Sequence, residues 1–156
     1  MASAVATRRQ SPSAGTGYRR VLVPISGAES ARAVEIACSL AAEHGVELIA
    51  VFVVEISPLL PLDARMDQDE AAARTALHQA EAIADSFGIR LRARKVRARE
   101  AGPAIVELAE ELGAEVVVIA APRKRRAYGR FHFGGTVRHV LAKAPCPVLV
   151  ASPPAA

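Results

Sequence analysis

Short apolar runs alternate along the chain with longer segments in which apolar residues recur every three or four positions. The short runs are rich in Val, Ile and Leu, and polar residues, Gly or Pro bound them, which is typical of buried β-strands. The longer segments have the periodicity of amphipathic helices, and several of them end at a glycine. The pattern predicts strands at 19–25, 46–55, 89–98, 114–121 and 146–152, and helices at 28–45, 66–88, 102–113 and 135–144.

This alternation predicts the α/β class and a doubly wound three-layer sandwich. Nearly continuous apolar strands indicate a parallel sheet that is covered by helices on both faces. Right-handed crossovers then favour a five-stranded parallel sheet of order 3-2-1-4-5 with four helices. The winding reverses between the first and fourth strands, so the expected ligand crevice lies at their carboxyl ends, between Ser26 and residues 120–136.

Two local patterns add detail to this fold. The strand at 89–98 alternates small or apolar residues with basic ones, which favours an edge strand that is protected by charge. The spacing of Ser26 and Glu29 predicts a capping box at the start of the first helix. In that motif the Ser26 oxygen accepts a backbone N–H while Glu29 reaches back towards the Ser26 backbone.

Composition and charge indicate one globular domain with a local basic segment. The chain has 156 residues, of which 51% are hydrophobic, and a formal net charge of +4. Five Lys or Arg residues fall between Arg123 and Arg130, so the positive charge is concentrated there. Residues 1–17, rich in Ala, Ser, Gly and Pro, are predicted to form a disordered tail ahead of a single domain at 18–153.

A cytoplasmic location is predicted from the cysteines and from the hydropathy of the chain. Cys38 and Cys146 lie in apolar segments and are interpreted as buried thiols in a reducing compartment. No apolar run approaches the roughly 18 residues of a membrane-spanning helix. Arg8 and Arg9 are followed by a polar stretch, which argues against an export signal.

Four segments resemble the universal stress protein family over about 19–152. They are "RRVLVPISGAESARAVEIACSLA", "VELIAVFVVE", "GPAIVELAEELGAEVVVIAAP" and "GGTVRHVLAKAPCPVLVAS". The resemblance implies the same sandwich fold and a binding or regulatory module in the stress response. It also implies a cytoplasmic homodimer that pairs through the last strand, at Val148, Leu149 and Val150.

Many members of that family bind ATP through two spaced glycines, a later Gly-Ser/Thr pair and an Asp after the first strand. Glycines let backbone N–H groups approach the phosphates, and a helix N-terminus favours their negative charge. In this chain Gly134 is retained, Gly135 stands in place of the Ser, and Thr136 offers a hydroxyl one position later.

Other positions depart from the family pattern. Ser26 stands where the family has Asp, and Ala120 and Arg123 stand where it has the two leading glycines. We therefore expect weak or lost binding of ATP or another adenine nucleotide, with arginine as an added phosphate donor. The candidate cofactor-binding residues are Pro24, Ser26, Val53, Ala120, Arg123, Arg130, Gly134, Gly135 and Thr136.

Two alternatives remain open at the level of sequence. One is a nucleotide-binding protein with slow ATP hydrolysis, although no catalytic or metal-ligating residue is predicted and no Walker, HExxH, CxxC or Gly-x-Ser-x-Gly motif occurs. The other is polyanion binding through 123–130, where basic residues adjoin Tyr128, Phe131 and Phe133. A small phosphate-bearing ligand is favoured over nucleic acid, because no recognised nucleic-acid-binding motif accompanies the loop.

Overall fold

The structure, a computed structural model, describes residues 19–42, 45–121 and 134–152. Strands and helices alternate along these ranges as the sequence pattern predicts. The elements are β1 (Arg20–Ile25), a 3-10 turn (Ala28–Ser30), α1 (Ala31–Ala41), β2 (Glu47–Glu55), α2 (Asp67–Ser86), β3 (Leu91–Ala98), α3 (Ala101–Leu112), β4 (Val116–Ala120), α4 (Gly135–Lys143) and β5 (Val148–Ala151).

The strands form one parallel sheet of order β3-β2-β1-β4-β5. The predicted fold class and strand order are therefore confirmed. β1 lies at the centre and pairs with β2 on one side and β4 on the other. The prediction of an edge strand at 89–98 is also confirmed, since β3 pairs with β2 alone from Leu91 to Ala98.

The central strand shows why the apolar runs are continuous. Val21 and Val23 face the layer that contains α1 and α2, and Leu22 faces the layer that contains α3 and α4. All three side chains are fully buried. A strand covered on both faces has no solvated side, so it requires apolar residues at consecutive positions.

The first helix departs from its prediction, and the capping box is wrong. The chain leaves β1 through a 3-10 turn, and α1 begins only at Ala31, without a side-chain cap. The Ser26 hydroxyl donates to Glu29 Oε2 at 3.2 Å, and the Ser26 N–H donates to Ser30 Oγ at 2.9 Å. The Ser26 hydroxyl is thus a donor to Glu29, and the buried Ser30 holds the Ser26 backbone.

Two helix ends follow the glycine signals closely. Gly88, with φ of +72°, follows the end of α2, and Gly113, with φ of +62°, caps α3. These are left-handed conformations that residues with a Cβ adopt rarely. The predicted tail at 1–17 lies outside the described residues. Within the described ranges, no helix has both the length and the hydropathy needed to cross a lipid bilayer.

Candidate functional site

A cleft of about 300 Å³ opens at the carboxyl ends of β1, β2 and β4. The reversal of winding places α3 and α4 so that both helices begin at its rim, as expected for a doubly wound sheet. Its volume is at the lower end of the roughly 300–1,000 Å³ that small-molecule sites occupy.

The cleft brings together seven of the nine candidate residues. They are Pro24, Ser26, Val53, Ala120, Gly134, Gly135 and Thr136. The other two, Arg123 and Arg130, lie outside the described residues, and so does the rest of the basic run at 123–130. The seven described candidates therefore line one cleft, while their role in binding, the arginine contacts and the polyanion alternative stay predictions.

The N-terminus of α4 lines the cleft, and no side chain among the described residues caps it. Gly134 is its N-cap residue in extended conformation, and the first intrahelical bond runs from Arg138 N–H to Gly134 O at 3.0 Å. The N–H groups of Gly135, Thr136 and Val137 precede that bond, so they have no intrahelical acceptor. No acidic residue lies in the first turn. A Cβ built on Gly135 would meet no atom of the described residues within 4 Å.

The N-terminus of α3 borders the same cleft but is occupied by the protein itself. Glu55, the last residue of β2, accepts a hydrogen bond from the Ala101 N–H at 2.7 Å. A carboxylate at this position is favoured by the helix dipole and satisfies one of the free N–H groups. Its charge also adds negative potential to the cleft, which Glu55 lines.

A second carboxylate enters the cleft beside the end of β1. Glu29 and Ser26 both line it and are joined by the hydrogen bond from Ser26 Oγ to Glu29 Oε2. Ser30 lies beneath them and is only 3% exposed. The bond leaves the Glu29 carboxylate with lone pairs that can accept hydrogen bonds from hydroxyl groups of a ligand.

The sequence reasoning missed Glu29, Glu55 and Ala101 as residues of the cleft. Glu29 was assigned to the capping box, which the structure does not form. Glu55 could have been found, because it ends the second strand at the carboxyl edge, directly beside the predicted switch point. Ala101 contributes a backbone N–H, for which residue type gives no signal.

The described residues provide little for nucleophilic or metal chemistry. Burial and, secondarily, the charge of Glu35 raise the pKa of Cys38 to about 11, so the thiol is protonated at neutral pH. Burial also raises the pKa of Cys146. Within 19–42, 45–121 and 134–152, no three His, Cys, Asp or Glu side chains are grouped so that they could hold a metal ion.

Comparisons with known proteins identify the family and the fold of the chain. A model of the universal stress protein family matches residues 17–152. A universal stress protein of Methanocaldococcus jannaschii is 27% identical over 144 residues, which cover 88% of this chain and 84% of the relative. The structure of a universal stress protein from Archaeoglobus fulgidus aligns with a TM-score of 0.72 at 26% identity, covering 85% of this chain and 98% of that one.

A further structure from Archaeoglobus fulgidus is a universal stress protein in complex with dAMP. It aligns with a TM-score of 0.69 at 23% identity and covers 85% of this chain and 97% of that chain. This likeness is one of fold.

Proposed function

The chain belongs to the universal stress protein family, and from that premise we propose that it is a binding or regulatory module of the stress response. Its ligand in this proposal is an adenine nucleotide with few phosphates, bound weakly in the cleft between β1, β2 and β4. The observation that supports it most is the N-terminus of α4, which lines the cleft and has no side-chain cap from the part of the chain that the structure describes.

The phosphate end of the ligand would lie at Gly134, Gly135 and Thr136. Unsatisfied N–H groups and the positive end of the helix dipole favour an anion there. No described side chain lies within 4 Å of the Cβ position of Gly135, so none of them hinders a phosphate oxygen that approaches the backbone there. The Thr136 side chain lies in the same helical turn and offers a hydroxyl donor.

The ribose end would lie at Ser26 and Glu29. Ser26 replaces the Asp implied by the family resemblance, and the hydrogen bond between the two side chains brings the Glu29 carboxylate to that place. A carboxylate accepts hydrogen bonds from vicinal hydroxyls, as it does at the ribose of other nucleotide sites. In this proposal Glu29 supplies the acceptor that position 26 lacks.

Weak binding and a preference for few phosphates follow from the charges of the cleft. Glu29 and Glu55 both line it, and each added phosphate increases the repulsion that these carboxylates exert. Ala120, at the position of a family glycine, carries a Cβ at the end of β4 and narrows the approach to the backbone. We therefore expect AMP to bind more tightly than ATP.

Isothermal titration calorimetry with AMP, ATP, dAMP and cyclic AMP tests this function. We expect a dissociation constant for AMP of about 0.1–1 mM and a weaker one for ATP. We include dAMP because a universal stress protein from Archaeoglobus fulgidus has been solved in complex with it. Since dAMP lacks the 2′ hydroxyl, we expect this protein to bind it less tightly than AMP if Glu29 contacts both ribose hydroxyls.

A matched pair of variants localises the binding. Gly135→Asp adds a carboxylate to the first turn of α4 and should weaken AMP binding about tenfold or more. Ala142→Asp adds the same charge at the exposed far end of that helix and should change the affinity about twofold at most. Absence of binding by all four nucleotides, or equal loss in both variants, would contradict the proposal.

We also propose a cytoplasmic homodimer that pairs through β5. The strand lies at an edge of the sheet, and Leu149 is exposed although it is apolar. The cytoplasmic location rests on the two free thiols, which suit a reducing compartment. Light scattering should give the mass of a dimer for the wild type and of a monomer for Leu149→Arg. A monomeric wild type at high concentration would overturn the pairing.

A further inference from the structure

The free edge of β3 carries a concentration of positive charge. Six of the ten residues at 90–99 are Arg or Lys, and none of the ten is acidic. The ion pairs join Arg92 to Glu47, and Lys95 and Arg97 to Glu70. Glu47 is shared with Arg20 of β1. Glu47 and Glu70 thus pair with three of the six basic side chains, and among the described residues the edge keeps a positive excess.

The backbone of this edge is available for pairing. The Ala98 carbonyl accepts the Ile56 N–H at 2.8 Å, so it points towards the β2 side of the strand. Backbone groups alternate in direction along a strand, which turns those of Leu91, Ala93, Lys95 and Arg97 outward. Among the residues that the structure describes, no strand lies beyond β3.

A loop at 57–64, which contains three leucines and one acidic residue, Asp63, adjoins the carboxyl end of β3. Its Leu59 side chain is 93% exposed, and Leu60 and Leu62 are exposed as well. The Arg99 guanidinium donates to the carbonyls of Ser57 and Leu60, at 2.6 and 2.7 Å.

Arg97 holds the second half of the loop, at Leu62 and Ala64. Arg97 Nε donates to the Leu62 carbonyl at 3.0 Å, and its guanidinium also reaches the Ala64 carbonyl. Two arginines at the end of β3 thereby hold the loop with its leucines outward. A rigid surface loses less conformational entropy when a partner binds.

We propose that the β3 edge and the 57–64 loop form one docking surface for an extended acidic segment of a partner protein, with apolar residues at alternate positions. The segment would add to the sheet as a further strand. Its backbone would pair with the outward groups of β3, its carboxylates would meet the basic side chains, and its apolar residues would contact the leucines.

The same features disfavour other occupants of the surface. A second copy of β3 would bring two basic edges together, and like charges oppose that pairing. Single-stranded nucleic acid usually stacks its bases on aromatic side chains. No aromatic residue occurs at 57–65 or at 90–99. The surface is also distinct from the cleft, because no residue of 57–64 or 90–99 is among the described residues that line the cleft.

Fluorescence polarisation with the full chain tests this surface. The probe is a labelled decapeptide of alternating Asp and Val, and the comparison peptides alternate Lys with Val and Asp with Ser. We expect saturable binding of the Asp-Val peptide that weakens with salt, about tenfold weaker binding of the Asp-Ser peptide and no binding of the Lys-Val peptide.

Two variants separate the backbone contribution from the charge. Ala93→Pro removes an outward N–H from an exposed edge position, which should weaken binding about fivefold or more, whereas Ala93→Ser keeps that N–H and the affinity. Arg94→Glu reverses a basic charge on β3 and should weaken binding about tenfold. Arg138→Glu makes the same change on α4, which contacts β5 at the opposite edge of the sheet. It should change the affinity for the peptide little.

Circular dichroism verifies that each variant is folded. If Ala93→Pro does not fold, the comparison of Arg94→Glu with Arg138→Glu tests the proposal. Three results would overturn the proposal. They are equal losses in Arg94→Glu and Arg138→Glu, full binding by a folded Ala93→Pro variant, and tighter binding of an oligothymidylate than of the Asp-Val peptide. The last result would identify a surface for nucleic acid.

Discussion

The N-termini of α3 and α4 border one cleft, but they differ in whether a described side chain accepts a hydrogen bond from them. At α3 the Glu55 carboxylate accepts the Ala101 N–H at 2.7 Å. At α4 no side chain of residues 19–42, 45–121 or 134–152 acts as a cap, and the first turn has no acidic residue. The first turn of α3 has free N–H groups only at Ala101 and Gly102, because Pro103 has none, whereas that of α4 has them at Gly135, Thr136 and Val137. Among the described residues a side chain accepts from the α3 end and none from the α4 end, which favours α4 as the place for an anionic ligand.

The two helices are coupled by close packing near these ends. Gly102, the second residue of α3, is buried, and a Cβ placed on it would lie 2.8 Å from His139 Cβ of α4. Such a distance is shorter than ordinary carbon–carbon contacts of 3.5–4.0 Å. A glycine at this position lets the helices approach each other and fixes the width of the cleft between their first turns.

The substitution Gly102→Ala should have the largest effect on this arrangement. The added methyl group meets the Cβ of His139, which cannot turn away as the end of a flexible side chain could. We expect a loss of about 1–3 kcal/mol in the free energy of unfolding, as for other overpacked sites, measured by urea denaturation. AMP binding should weaken too, because the two N-termini would be pushed apart.

Gly135→Ala is the control for that experiment. Its new Cβ would meet no described atom within 4 Å, so we expect the protein to be as stable as the wild type or slightly more stable. If the Gly102→Ala protein were as stable as the Gly135→Ala protein, α3 and α4 would have room to separate. The distance between their N-termini would then not be fixed by the packing at Gly102.

The sequence predicted the fold well because the fold depends on patterns that are local in the chain. Continuous apolar strands, glycines after helices and short connections all appear in the sequence itself. The site was predicted in part for the same reason. Pro24 and Ser26 end one strand, and Gly134 begins a helix, so the topology alone brings them together.

What the sequence did not predict depends on contacts between distant segments. Glu55 and Ala101 are 46 positions apart, and their hydrogen bond follows from the ends of β2 and α3 meeting at the cleft. The spacing of Ser26 and Glu29 suits a capping box, but the Ser26 N–H bonds to Ser30 and the 3-10 turn delays the helix. The leucines at 59, 60 and 62 lack a periodic pattern, and only the bonds from Arg97 and Arg99 show that they are held outward.

The substitution Glu55→Gln should have a smaller effect than Gly102→Ala. It should lower the stability of the protein but tighten AMP binding. Glutamine keeps an oxygen that can accept the Ala101 N–H but removes the charge that interacts with the α3 dipole. We expect a loss of about 0.5–1 kcal/mol in the free energy of unfolding. AMP binding should become about two- to fivefold tighter, because one of the two carboxylates that repel phosphate in the cleft is gone.

The exposed pair of Arg65 and Asp67 provides the control for that charge change. Asp67→Asn removes a carboxylate from the first turn of α2, which the cleft does not contact, and should lower stability by a similar amount without changing AMP affinity. If Glu55→Gln left AMP binding unchanged while costing the same stability, the carboxylate would act on α3 alone. Glu55 at the α3 N-terminus would then have no influence on a ligand at the α4 N-terminus. The expected preference for AMP over ATP would have to come from Glu29 and Ala120 alone.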